Sequence, residues 1–219
     1  MIDFEQARKA MVDNQLRTSA ITDRRLLGAM GSVPRERFVP ETRQSLAYID
    51  EQHVYPGPLG RALAPAAPFA RLVQLAAISE ADTVLDVGCT TGYSSTVLAA
   101  LAARVVALEA EPALADAARA NLSALGVANA EVVTGPLEAG APQRGPYDAI
   151  VLEGAVAQVP DALLRQLREG GRLVAYVLTR GIAVANVFVR SGDDFQPRAE
   201  FDAAVPLLTR QAPREEFVF

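Results

Sequence analysis

The sequence predicts a doubly wound α/β fold: a mostly parallel sheet with helices on both faces, a helical N-terminal extension, and a C-terminal antiparallel hairpin at the sheet edge. Three observations predict it. From about residue 67 onward, short apolar runs alternate with helical stretches, the first run ends in a glycine-rich loop, and the alternation stops after Gly181. Strands that alternate with helices pair in parallel, because the crossover between them needs a dozen or more residues and a helix supplies them.

Residues 3–31 read as two helices, with Thr22 or Asp23 able to cap the second. A proline-bounded segment follows, Val33-Pro34-Arg35-Glu36-Arg37-Phe38-Val39-Pro40. Tyr48 to Pro68 carries Pro56, Gly57, Pro58, Gly60, Pro65 and Pro68, and so reads as a loop over the surface. A helix is expected from about Ala67 to Ile78. Thr83-Val84-Leu85-Asp86-Val87-Gly88 is the first buried strand, and a helix follows it through Ala102. Arg104 to Glu109 forms the second strand. Pro112 opens the next helix and Gly126 ends it. Ala130 to Thr134 and Tyr147 to Leu152 are the third and fourth strands, residues 160–169 a helix, and Gly171 to Val177 the fifth strand. Ala183 to Arg190 and Phe195 to Ala203 pair as the edge hairpin through a turn at Ser191-Gly192-Asp193-Asp194. The expected division places the extension and a substrate-side loop in residues 1–66 and the ligand-binding domain in residues 67–219.

Composition narrows the function classes. The chain has 219 residues, half of them hydrophobic, and a net charge of -5. That balance disfavours a nucleic-acid binder, which would carry a basic face. Arg24, Arg25, Arg35 and Arg37 lie close together but read as a solvated helix face. One cysteine and one histidine leave no intrachain disulfide and no cysteine- or histidine-based metal cluster. The charged N-terminus does not read as a secretory signal, and no apolar stretch reaches the roughly 20 residues of a membrane span. A soluble cytoplasmic protein with no nucleic-acid or membrane partner is expected.

The candidate site lies where the first strand ends, in Asp86-Val87-Gly88-Cys89-Thr90-Thr91-Gly92-Tyr93. Glycines are needed where the chain turns sharply and a ligand must approach the backbone, and open parallel sheets bind ligands beyond the carboxyl ends of their strands. A dinucleotide fingerprint would place glycines where Thr90 and Tyr93 stand, and no phosphate-binding Gly-Lys-Ser/Thr occurs. The loop therefore suits a nucleoside without a pyrophosphate. Glu109 ends the second strand about 20 residues after the loop, the spacing at which a carboxylate accepts from ribose hydroxyls. Asp86 is a second candidate ligand. Cys89 reads as a small residue beside the ligand, and His53 as an incidental loop histidine.

These residues resemble a known class. Val84 to Ser95 looks like the first motif of Rossmann-like S-adenosylmethionine-dependent methyltransferases. More narrowly, the chain resembles the protein-L-isoaspartate O-methyltransferases. The resemblance is carried by Met11-Val12-Asp13-Asn14-Gln15-Leu16, Ala29-Met30, the Val33–Pro40 run, Ala47-Tyr48-Ile49-Asp50, Pro146-Tyr147-Asp148-Ala149-Ile150, Gln166-Leu167 and Gly170-Gly171-Arg172-Leu173-Val174. It covers roughly Met11 to Val177. It implies S-adenosyl-L-methionine as cofactor, an isoaspartyl residue of a damaged protein or peptide as acceptor, and repair through a methyl ester and a succinimide. It also implies a cofactor set of Asp86, Gly88, Cys89, Thr90, Gly92, Tyr93, Glu109, Ala110, Gly135, Pro136 and Leu137. Such chemistry needs no catalytic base: the acceptor carboxylate is already ionised and the leaving group is a neutral thioether. The protein has to align oxygen, methyl carbon and sulfur, and keep water away.

Two departures from the family stand out. Where the family has Gly-Gln-Thr-Ile-Ser, with hydroxyls at the methyl-transfer site, this chain has Gly60-Arg61-Ala62-Leu63-Ala64. Losing an orienting donor costs roughly 3 kcal/mol of transition-state stabilisation. Ala64 and Arg61 thus mark the catalytic position, with Arg61 a candidate partner for the acceptor carboxylate. Where the family has Gly-Asp-Gly after the third strand, this chain has Gly135-Pro136-Leu137, with Glu138 able to reach back and Leu137 able to pack on adenine. Three readings stay open: an isoaspartyl methyltransferase with an altered acceptor loop, a methyltransferase of the same descent with another acceptor, and a catalytically inactive cofactor-binding protein. Oligomeric state is open as well.

Overall fold

The structure is a computed structural model that describes residues 2–209. The sequence expectation for the tail Glu215–Phe219, that it docks on the body, lies outside the described residues.

Helix α1 spans Phe4–Met11, with the Asp3 carboxylate accepting from the Gln6 N–H. A π turn over Val12–Leu16 and a 3-10 turn over Arg17–Ser19 follow. Helix α2 spans Arg24–Ser32, and Asp23 rather than Thr22 caps it, accepting from the N–H groups of Arg25 and Leu26. Two 3-10 turns, Arg35–Arg37 and Glu41–Leu46, lead into the proline-rich segment. That segment is not wholly loop. His53–Val54 (β1) and Ala62–Leu63 (β2) pair as an antiparallel ribbon. The prolines and glycines between them gave no strand periodicity to read.

Helix α3 covers Ala66–Ala76. The sheet then alternates as predicted: β3 Thr83–Val87, α4 Tyr93–Ala99, β4 Arg104–Glu109, α5 Pro112–Ala124, β5 Ala130–Thr134, β6 Tyr147–Val156. The helix expected at residues 160–169 shrinks to α6, Asp161–Leu164. The Tyr147 N–H donates to the Gln166 carbonyl at 2.9 Å, which ties the chain to the sheet before further helical turns form. Strand β7 therefore begins early, at Leu167, and runs to Thr179. β8 (Ile182–Ser191) and β9 (Asp194–Asp202) complete the edge hairpin.

The sheet order is β5-β4-β3-β6-β7-β8-β9, with the first four pairings parallel and the last two antiparallel. The chain winds outward from β3 to β5, then returns to place β6 on the other side of β3. The switch point thus falls between β3 and β6. Both faces of these strands are buried. Val84, Ala149 and Val151 face one core, built with Met11, Leu26, Met30, Phe38, Phe69 and Tyr93 from the N-terminal elements, α3 and α4. Leu85, Val87, Ile150 and Leu152 face a second core with Leu163 and Leu173. No helix among the described residues is long and apolar enough to cross a membrane.

Candidate active site

Strand β3 delivers its carboxyl end to the switch point and then turns sharply. Gly88 has φ +87°, Thr90 +51° and Gly92 +94°. The N–H groups of Gly88 and Cys89 both donate to the Leu108 carbonyl, which locks the loop to β4. Thr91 and Tyr55 hydroxyls both donate to the Phe38 carbonyl at 2.6 Å, so the N-terminal extension clamps the same loop.

Glu109, at the end of β4, is fully buried and accepts from three backbone donors: Thr90 at 2.8 Å, Ala110 at 2.8 Å and Glu111 at 3.1 Å. Its remaining partner is the Arg61 guanidinium, with Nε 3.2 Å from Oε1 and no side-chain exposure on either residue. Arg61 also donates to the carbonyls of Gly88 and Leu208. The carboxylate held by Arg61 is thus the chain's own Glu109. A Cβ placed on Gly88 would lie 2.2 Å from Arg61 Nη2 and 2.7 Å from a Leu208 methyl. The space a ligand would use against Gly88 is filled by these two side chains.

Leu208 arrives on a strap from the C-terminal side. Ala155 N–H donates to the Pro206 carbonyl at 2.8 Å, and Leu208 N–H to the Ala155 carbonyl at 2.9 Å. The Pro56–Pro58 tip is tied down too, since Leu59 N–H donates to Glu111 at 3.1 Å.

Arg61, Gly88, Thr90, Glu109 and Ala110 are therefore brought into one hydrogen-bonded cluster. Asp86 lies beside it, accepting from the Ser94 and Ser95 hydroxyls at 2.7 and 2.6 Å, while its Oδ1 has no partner. Burial pushes its carboxyl up to about 6, against the pull of the two serine hydroxyls. Cys89 is buried and burial holds its thiol well above its ordinary value, so it stays a neutral thiol and offers no nucleophile. Other predicted residues point elsewhere. The Tyr93 ring packs in the first core, 5.6 Å from Phe38, 5.8 Å from Phe69 and 4.8 Å from the Arg35 guanidinium. Gly135 N–H donates to the Glu109 carbonyl, Pro136 is exposed, Leu137 joins the second core, and Glu138 is exposed rather than folded back.

Ala62 and Ala64 are both buried. Arg35, read from sequence as part of a solvated basic face, is fully buried beneath them. It donates to the Ala64 carbonyl at 2.6 Å and the Ala47 carbonyl at 2.9 Å. These two bonds tie the turn that carries Ala64 to the N-terminal elements, a tie that no local pattern announces. His53 is likewise fully buried in β1, not in open loop. Glu153, on β6 with 7 % exposure, is a further buried acid at this end of the sheet. Its only signal in the sequence is an acid closing the apolar run Tyr147–Leu152.

The donor set fits a nucleoside cofactor. A carboxylate closes the strand next to β3, and backbone N–H groups surround it; at Gly88 it is the movable side chains of Arg61 and Leu208 that occupy the approach. Such a ligand would take the Glu109 oxygens from Arg61. Fold and site together define a doubly wound α/β protein whose switch point carries a donor set of the kind that holds a nucleoside.

Similarity to known proteins narrows this class. A sequence profile of the protein-L-isoaspartate(D-aspartate) O-methyltransferases matches residues 6–210. A protein-L-isoaspartate O-methyltransferase of Koribacter versatilis is 43% identical over 210 residues, covering 95% of this chain and 93% of the relative. Among solved structures, a protein-L-isoaspartate O-methyltransferase superposes with a TM-score of 0.79 at 22% identity over 91% of this chain, which spans 65% of that longer protein. A structure assigned to the same enzyme of Plasmodium falciparum, in complex with S-adenosyl-L-homocysteine, gives 0.76 at 20% identity, over 92% of this chain and 97% of that one. The chain belongs to the protein-L-isoaspartate O-methyltransferase family, whose members depend on S-adenosylmethionine.

Proposed function

We propose that this protein transfers a methyl group from S-adenosyl-L-methionine to the side-chain carboxylate of L-isoaspartyl residues in proteins or peptides. The observation that carries it is the family match along residues 6–210; the buried carboxylate of Glu109 at the end of β4 supports it. The cofactor supplies an electrophilic methyl on a sulfonium. The chain supplies the rest. Glu109 would accept from the ribose hydroxyls, and Gly88, Thr90 and the backbone at Gly135 would border the nucleoside. The 1–66 extension holds the acceptor loop through Arg35. Freed from Glu109, the Arg61 guanidinium would be available to hold the acceptor carboxylate.

A second reading draws on Ala62 and Ala64: a related acceptor, or cofactor binding without transfer. One experiment separates the two. Labelled S-adenosylmethionine is incubated with an isoaspartyl peptide and its aspartyl counterpart. Base-labile methyl ester on the isoaspartyl peptide alone is the expected result. Bound cofactor without transfer would leave the second reading, and Ala62→Thr with Ala64→Ser would then be expected to restore transfer.

A further inference from the structure

One buried acid at the switch point has no part in the roles above. Glu153 follows Leu152, which pairs with Val87, so it stands across from Gly88 at the end of the β3–β6 pairing. It also sits in a β-bulge: Val151 pairs with Val174 but Ala155 with Tyr176, which leaves extra residues on β6. Bulges of this kind re-aim side chains and recur beside active sites. Glu153 shares the strand face of Ala149 and Val151, and Asp86 shares that of Val84, so both carboxyls lie on the face covered by the acceptor loop.

Glu153 Oε1 is buried and has no hydrogen-bond partner. The residue lines a small, half-open cavity of about 10 Å³ together with Ala64, Phe69, Gly154, Tyr176 and Val205. An orphaned polar atom there is costly unless something else uses it. Ala64 brings to that cavity only a methyl group where the family's serine would bring a hydroxyl donor.

Resting on the proposed isoaspartyl activity, we propose that Glu153 replaces the missing hydroxyl, donating a hydrogen bond through its carboxyl O–H to the non-attacking oxygen of the acceptor carboxylate. In the transfer, the other acceptor oxygen bonds to the methyl carbon as the methyl–sulfur bond breaks. The sulfonium leaves as a neutral thioether, and the Glu153 proton stays where it is. An ionised Glu153 would instead repel the acceptor. The groups facing it decide which form it takes. Burial and the Asp86 carboxylate from β3 hold it well above the ordinary glutamate range, while Arg61 and Arg35 pull the other way. Tyr176 on β7 spends its hydroxyl on the Pro68 carbonyl.

The test compares the full chain with E153Q and E153A. Methyl transfer to the isoaspartyl peptide is measured between about pH 6 and 9, S-adenosylhomocysteine affinity by calorimetry, and the protonated-carboxyl stretch by infrared difference spectroscopy. E153A is expected to lower kcat/KM by ~100-fold with homocysteine-ligand affinity kept. The amide of E153Q still donates, so E153Q is expected to recover most of that loss and to abolish an alkaline fall seen in the parent. The parent's infrared band at neutral pH should vanish in E153Q and shift when S-adenosylhomocysteine and isoaspartyl peptide are added together. Equal kcat/KM for parent and E153A across the pH range would overturn the proposal, as would absence of the band. If the parent transfers nothing, the isoaspartyl reading itself fails, and the band still decides on Glu153: a peptide-induced shift supports the hydrogen bond, and an unmoved band overturns it.

Discussion

Arg61 and Glu109 carry opposite charges in a region that water does not reach, and each is satisfied by the other and by backbone groups. Breaking such a pair from one side costs ~3–5 kcal/mol when the remaining charge is left alone. Here Glu109 keeps three backbone N–H donors, so the loss is smaller. In the proposed site the same carboxylate would accept from a ribose, so the guanidinium and the nucleoside would compete for it. Arg61→Gln is therefore expected to lower the melting temperature of the free protein by several degrees while tightening S-adenosylhomocysteine binding by about tenfold. Calorimetry and thermal shift measured side by side check this. Weaker binding by the variant would mean that Arg61 helps hold the cofactor rather than standing in for it. Glu109→Ala should weaken that binding by about 100-fold, because the ribose hydroxyls would lose a charged acceptor.

At the scale of elements, the strap Pro206–Leu208 and the β6 bulge form one unit. Gly154 allows it: a Cβ there would meet the Leu208 backbone at 2.7 Å. Gly154→Ala is expected to lift the strap, remove the Leu208 carbonyl from Arg61, and cost about 1–3 kcal/mol by overpacking. Denaturant unfolding gives the cost, and faster proteolysis near residue 208 would locate it. The helical extension behaves differently, because α2 depends on its own cap. Asp23→Ala removes acceptors for two N–H groups and should cost about 1 kcal/mol with no change in cofactor affinity. A large affinity change would show that α2 transmits strain to the site through Arg25 or Met30.

Over the whole molecule, pH acts through buried groups of opposite kind. Both ring nitrogens of His53 are buried without partners. Burial first, then the charges of Arg35 and Arg43, lower its value to about 4, with the Ala47 carbonyl and Glu51 opposing. The folded protein thus holds His53 neutral where the unfolded chain would protonate it. The stability this neutral state contributes is whole above the ordinary value of 6.5 and drains away as pH falls toward 4. Asp86 and Glu153, both raised, act in reverse and weaken the fold as pH rises through their folded values. Denaturant unfolding of the parent and His53→Gln at pH 7 and pH 4.5 should show a parent-specific loss on the order of 1–3 kcal/mol on the acid side. Equal losses in the two proteins would place the titrating group elsewhere.

The sequence by itself determined the sheet, because apolar runs of strand length separated by helices leave few alternatives to a buried parallel arrangement. It also determined the glycine loop and Glu109, since a tight turn and a strand-end acid are local features that spacing preserves. The family could be read in the same residues. What the tertiary structure alone decided lies in contacts between segments far apart in the chain. Arg61 reaches Glu109 and Leu208 across 48 and 147 residues, and Arg35 reaches Ala64 across 29. Charges that look solvated on a local reading are buried because distant carbonyls and carboxylates close around them. Glu153 reads as an ordinary strand-end acid until β3, the bulge and the acceptor loop enclose it. Periodicity reports which face of an element is buried, whereas the partner that satisfies a buried charge is set by the packing of the whole chain.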